Sequence, residues 1–153
     1  WFPYLGNEAS CVLRIETAHG NALLTGDIGH LIEAKLLREE PASVRNEVVL
    51  VPHHGSAGSS GEDFVAATGA RLALVSSGAG NRFGHPRAPV VKRWCEAGAE
   101  VVDTARAGAI RVWLRAGGLQ MQERRASRPR LWDAARRRNG TAGLCYAPEM
   151  QRP

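Results

Sequence analysis

The sequence predicts an α/β fold, a mixed sheet with flanking helices. Short β-branched runs at 47–51, 71–76 and 100–103 alternate with stretches of helical periodicity. Two further segments, 11–25 and 109–122, read as hairpins. The length of 153 residues, with 44% apolar and 23% charged, fits one ordinary globular domain.

Each element has its own signal. Val12, Leu13 and Ile15 read as a strand, Ala18-His19-Gly20-Asn21 as a turn, and Ala22-Leu23-Leu24-Thr25 as the returning strand. Gly26-Asp27-Ile28-Gly29 breaks that pattern. Leu31, Ala34, Leu36 and Leu37 then fall at helical spacing, and Pro41 is expected to stop the helix. Glu47 to Val51 is a buried strand that Pro52 ends, and His53-His54-Gly55-Ser56 follows as a loop. Ser59 and Glu62 have the spacing of a capping box for a helix through Ala67. Leu72 to Val75 is the next buried strand. A Gly-containing loop, 76–86, leads to a helix from about Ala88 to Ala97, which Gly98 ends. Glu100 to Val102 is a strand. Ile110, Val112 and Leu114 alternate with Arg111, Trp113 and Arg115, as in a strand with one solvated face, and Gly117-Gly118 turns into a last strand at 119–121.

Charge divides the chain in two. Residues 1–121 hold 12 basic and 12 acidic groups, whereas residues 122–153 hold eight arginines against Glu123, Asp133 and Glu149. The net +5 therefore belongs to the tail, which is expected to be partly disordered apart from a short amphipathic stretch, Leu131-Trp132-Asp133-Ala134-Ala135. A protein that grips nucleic acid with its folded face would carry the excess there instead. No apolar run approaches the ~18 residues of a membrane span. Three scattered cysteines, Cys11, Cys95 and Cys145, have the spacing of neither a disulfide framework nor a zinc knuckle. The chain opens on Trp1 rather than Met, as a piece of a longer protein would.

The chemistry-bearing residues follow the strands. Asp27 lies just past 22–25, His53 and His54 just past 47–51, and Asn81, Arg82 and His85 past 71–76. In α/β sheets, functional groups gather outside the carboxyl ends of strands. An Asp and up to three His converging there suit a divalent metal that polarises a phosphoryl or carbonyl oxygen. Each residue also has a plainer reading. Asp27 has the position of a helix N-cap, the His-His pair that of a surface loop, and His85 before Pro86 that of a turn. Successive side chains diverge, so only one of His53 and His54 need face a metal. His19 reads as a solvated hairpin tip and His30 as structural. Ser56, Ser59 and Ser60 have no acid and base at the spacing a serine nucleophile requires. The loop Gly78 to Gly84 has a spacing unlike the nucleotide-binding glycine motifs, yet it suits an anion contact through Arg82 and His85.

These blocks occur in a telling order: Asn7-Glu8-Ala9-Ser10-Cys11-Val12-Leu13, Leu23-Leu24-Thr25-Gly26-Asp27, Val51-Pro52-His53-His54-Gly55-Ser56 with Ser59-Ser60, and Asn81-Arg82-Phe83-Gly84-His85-Pro86. With Thr104 and Gly108 ahead of the strand 109–115, the chain resembles the metallo-β-lactamase-like domain of ComEC-type DNA-uptake (competence) channel proteins, over residues 7 to about 115. The resemblance implies an αββα sandwich with a metal site, zinc or manganese, at one edge. It implies that Asp27 bridges metal ions and that one of His53 and His54 is the late histidine ligand. His54 is favoured for that role, with His53 behind it or on a phosphate. Asn81, Arg82 and His85 would lie at the rim, where Arg82 clamps a phosphate and His85 binds or protonates a departing oxygen. The implied activity is a metal-dependent nuclease, a phosphodiesterase that degrades the single strand of DNA not imported. The implied setting is a soluble domain of an inner-membrane protein on its extracytoplasmic face.

The departure from the family matters equally. The superfamily's HxHxDH-like or HxDxDH-like block is absent, since the five histidines stand at 19, 30, 53, 54 and 85. Residues 1–122 are therefore expected to be the C-terminal half of such a sandwich, with 123–153 as a separate tail. Its partner would be the N-terminal half of the same domain, and its metal site would be incomplete and inactive alone. An uncovered sheet face would be apolar and able to form a homodimer. The alternative is a non-catalytic assembly module, or one that binds DNA or anions.

Overall fold

Five strands form one mixed sheet, ordered β1-β2-β3-β4-β5. β1 (Leu13–Thr17) and β2 (Gly20–Leu24) make an antiparallel hairpin. β2, β3 (Val48–Leu50), β4 (Leu72–Val75) and β5 (Glu100–Asp103) run parallel. The computed structural model describes residues 6–130, Asp133 and residues 143–146. Strand order follows chain order, so every crossover steps the same way. Right-handed crossovers then put the connecting helices on one face. These are α1 (His30–Glu39), α2 (Pro41–Val44), α3 (Glu62–Thr68) and α4 (Ala88–Glu96). After β5, a short α5 (Thr104–Ala107) leads into a separate hairpin of β6 (Ile110–Arg115) and β7 (Gly118–Glu123), and α6 (Arg124–Ser127) follows.

Alternation along the strands sorts the core into two layers. Leu23, Val49, Ala73, Val75 and Val101 face the helices and pack with Phe64, Val65, Val90, Val91 and Trp94. Each buried side chain of this size stabilises by roughly 1.5–3 kcal/mol, so α3 and α4 do most to hold the sheet. On the other face, Val48, Leu72 and Val102 join Ala107 beneath Ile110, Val112, Leu114, Leu119 and Met121 of the second hairpin. The layers are thus helices, five-stranded sheet and hairpin. The α/β class with a mixed sheet and flanking helices agrees with the sequence expectation. No helix among the described residues is long and apolar enough to cross a membrane.

Pro41 stops the first helix as expected: α1 ends at Glu39, and Pro41 opens the separate short α2, where its missing N–H is no loss. Three expectations need correction or restriction. Ser59 does not cap α3. Its hydroxyl donates to the carbonyls of Pro52 and Ser56, and the N-cap position is Gly61. Cys95 and Cys145 are joined by a disulfide across a separation of 50 residues. Spacing alone misses it, because the pairing is set in space: Gly143 bridges to Val102 on β5, and buried Leu144 enters the main core. Cys11 is exposed and free. In the tail, Asp133 accepts from the Arg130 N–H at 2.7 Å and pairs with Arg124 and Arg125, each at 3.5 Å. The rest of the amphipathic stretch, Leu131, Trp132, Ala134 and Ala135, and the expected partial disorder lie outside the described residues.

Candidate functional site

The parallel strands β2 to β5 all end at one edge of the sheet, and the loops after them supply the candidate residues. Asp27 follows β2, His53 and His54 follow β3, and Asn81 to His85 follow β4. Asp27 is not a helix cap, since α1 begins at His30 and its N-cap position is Gly29, with no side-chain cap. Its backbone N–H donates to Ser10 Oγ at 3.2 Å, and its Oδ1 lies 3.4 Å from His54 Nε2. His54 Nδ1 sits 2.7 Å from the Ser76 carbonyl, an acceptor only. Nδ1 therefore donates to that carbonyl, and Nε2 is the ring nitrogen turned to the Asp27 carboxylate.

His53 turns elsewhere. Its Nε2 lies 3.0 Å from Asn7 Nδ2, an amide donor 46 residues away. Its ring meets His54 and His85 edge-on, at centroid distances of 6.5 and 6.1 Å. The two histidines diverge because both have left-handed backbone, φ 49° at His53 and 55° at His54. Such backbone is uncommon for residues with a Cβ and is maintained by the surroundings. Here the His53 N–H donates to the Gly26 carbonyl at 3.0 Å, and the Arg87 N–H to the Gly55 carbonyl at 2.9 Å. Gly55 is required at its place, because a Cβ there would stand 2.6 Å from Pro86 Cβ. Buried Glu33 accepts from the N–H groups of Ser60 and Gly61 at 2.5 and 2.8 Å, and Arg93 donates to the Ser60 carbonyl at 2.6 Å. The histidine loop is thus fixed from β2, α1, α4 and the next loop together.

Asn81 is spent on the backbone. Its Oδ1 accepts from the His85 N–H at 3.0 Å, and its Nδ2 donates to the His85 and Gly78 carbonyls at 2.6 and 3.1 Å. It positions His85 rather than reaching outward. The His85–Pro86 peptide is cis. Burial, and then the charge of Arg87 and the neighbouring His53 and His54, hold the His85 imidazole below the usual histidine range. Arg82 is exposed, with its guanidinium 4.8 Å from the Phe83 ring centroid. Thr104, past β5, ties the loop base by donating to the Ser77 carbonyl and accepting its N–H, both at 2.9 Å.

The donor set fits a divalent cation in part. Asp27 and His54 form a carboxylate–imidazole pair, with the imidazole oriented from behind by a carbonyl, as metal-bound histidines are. Among the described residues, no group of three or more His, Cys, Asp or Glu is placed to hold a metal ion. His53 is not brought to the pair. Sequence reasoning assigned no role to Asn7, Ser10, Glu33 and the Ser76 carbonyl, whose partners lie 17 to 46 residues away.

Comparison with known proteins bears on this edge of the sheet. The chain is 36% identical over 90 residues to ComE operon protein 3 of Bacillus subtilis strain 168, covering 59% of the chain and 12% of that protein. It is 33% identical over 103 residues to the uncharacterized protein YcaI of Escherichia coli K12, covering 67% of the chain and 14% of that protein. Competence protein ComA of Neisseria gonorrhoeae is 33% identical over 103 residues, again 67% of the chain and 15% of the relative. The chain thus spans 12% to 15% of the length of these relatives. No protein-family model matches the chain, and no solved structure does.

Proposed function

We propose that this chain is a section of a DNA-uptake protein and that it contributes Asp27 and His54 to a divalent-metal site for phosphodiester hydrolysis. The observation that carries the reading is the pair itself: Asp27 Oδ1 and His54 Nε2 are 3.4 Å apart, and His54 Nδ1 is committed to the Ser76 carbonyl. A carboxylate beside a pre-oriented imidazole nitrogen is a half-site for zinc or manganese. The relatives named ComE operon protein 3 and competence protein ComA support a role in DNA uptake.

The bound ion would supply Lewis-acid polarisation of a phosphoryl oxygen and a more acidic water. The chain's own residues do the rest. Arg82, on an exposed loop, has the charge and reach to clamp a phosphate. His85, whose imidazole is held below the usual histidine range by burial and then by the Arg87 charge, offers a ring nitrogen for a proton or a hydrogen bond at the rim. Asn81 holds the His85 backbone in place. The remaining ligands come from the longer protein, through the N-terminal half of the same domain. The Cys95–Cys145 disulfide supports an extracytoplasmic location, where such bonds persist.

Calorimetric titration of zinc or manganese into the purified chain tests the pair. Asp27→Ala and His54→Ala are each expected to weaken binding at least about tenfold. Unchanged affinity in both variants rejects the ligand assignment. Nuclease assays with the longer protein then separate a hydrolase from a non-catalytic assembly or anion-binding module, which would bind DNA and leave it intact.

A further inference from the structure

We propose that Phe83, flanked by Arg82 and His85, is the platform on which a base of single-stranded DNA stacks, laying the strand beside the Asp27–His54 pair. The nucleic acid named here rests on the proposed function; the platform rests on the loop's own geometry. Phe83 is 56% exposed and belongs to neither core cluster. A ring this large, left open to water, contributes little to folding. Its contacts are planar and cationic instead. The His85 imidazole stacks on it at 5.7 Å between centroids and 25° between planes, and the Arg82 guanidinium lies 4.8 Å from its centroid. Aromatic rings, imidazoles and guanidinium planes are the surfaces that unpaired bases stack on.

The ring is also presented at low entropic cost. Asn81 clamps both the N–H and the carbonyl of His85, and the Gly84 N–H donates to the Asn81 carbonyl at 3.1 Å. An aromatic anchor held this way loses little freedom on binding. The local charge suits a phosphate backbone. Residues 76–87 contain Arg82, Arg87 and His85 and no acidic side chain. The platform leads to the candidate site without a gap: His85 meets His53 at 6.1 Å, His53 meets His54 at 6.5 Å, and His54 reaches Asp27 at 3.4 Å. A base within a duplex has both faces covered by its neighbours, so the platform selects single strands.

Fluorescence anisotropy with a short fluorescein-labelled oligothymidylate and the full chain, in EDTA, tests the proposal without metal binding or cleavage. Phe83→Ala and Phe83→Leu are expected to weaken binding about tenfold, and Phe83→Tyr to retain it. An abasic oligomer of the same length should bind the unaltered chain as weakly as oligothymidylate binds Phe83→Ala, and the matching duplex should bind weakly as well. The proposal is overturned by undetectable binding of single strands, by equal affinity for abasic and base-bearing strands, or by binding indifferent to Phe83. Loss confined to Trp113→Ala, between Arg111 and Arg115 on β6, would move the contact to the outer hairpin face and overturn it equally. Failure of the metal titrations leaves this measurement intact, and a null effect at Phe83 leaves the metal site standing.

Discussion

Asp103 shows how one residue is set by opposing forces. It caps α5, its carboxylate accepting the Arg106 N–H at 2.6 Å, and it is buried. Burial pushes its carboxyl above the ordinary range; the Arg106 N–H and the charges of Arg106 and Arg125 pull it back only in part. The folded state therefore holds this proton more tightly than the unfolded chain does. Stability contributed by the neutral form is present at low pH and is lost as pH rises from roughly 4 through the folded value. Asp103→Asn keeps an N-capping oxygen and cannot ionise. Urea unfolding should show its stability relative to the unaltered chain rising between pH 3.5 and pH 6; a difference that stays flat or falls contradicts this account. The candidate site is decided on the same scale. Which of the two adjacent histidines meets Asp27 follows from two left-handed φ angles and from Asn7 and the Ser76 carbonyl. None of these is visible in a His-His dipeptide, because neighbours 22 and 46 residues away impose them.

Among the elements, α3 depends on another helix for its N-terminus. Its sequence carries Ser59 and Glu62 at capping-box spacing, yet Ser59 is drawn back to the Pro52 and Ser56 carbonyls. The turn entering α3 is held instead by Glu33 of α1, which is 2% exposed and accepts the N–H groups of Ser60 and Gly61, with His30 Nδ1 3.2 Å from Oε2. Glu33→Ala leaves two donors without a partner in the interior, and the expected loss is about 2–4 kcal/mol in urea unfolding. Glu33→Gln should lose less, because its amide oxygen still accepts. A loss below about 0.5 kcal/mol in the alanine variant would mean that water replaces the carboxylate. The strands were more legible than this cap. Val48–Leu50, Leu72–Val75 and Glu100–Asp103 each lie within a predicted run, because burial on both faces selects continuous β-branched and aliphatic residues. Capping spacing, by contrast, describes a local option that a tertiary acceptor can outcompete.

For the whole molecule, the second hairpin is narrower than the sheet it covers. In the strand register, Leu13 pairs with Leu24 and Ile15 with Ala22, on the same face as Val48 and Leu72. The hairpin covers Val48, Leu72 and Val102, whereas Leu13, Ile15 and Leu24 remain 56%, 43% and 36% exposed. An apolar strip beside an edge strand favours association. The isolated chain is expected to dimerise through it. Sedimentation velocity should show a dimer fraction that rises with concentration, and Leu13→Glu with Ile15→Lys should return the monomer. A monomer at every concentration refutes this.

The sequence by itself determined the α/β class, the strand runs, the concentration of charge in the tail, and the position of Asp27, His53, His54 and His85 just past strands. These follow from local periodicity and from turn residues, which act over a few positions. Only the tertiary structure decided that parallel crossovers bring three strand ends to one edge, that Asp27 faces His54 while His53 faces Asn7, that Glu33 holds the turn entering α3, and that Cys95 finds Cys145. Each of those contacts joins residues 27 to 50 positions apart. Over such separations no spacing rule operates, and the partner is chosen by the packing of the layers.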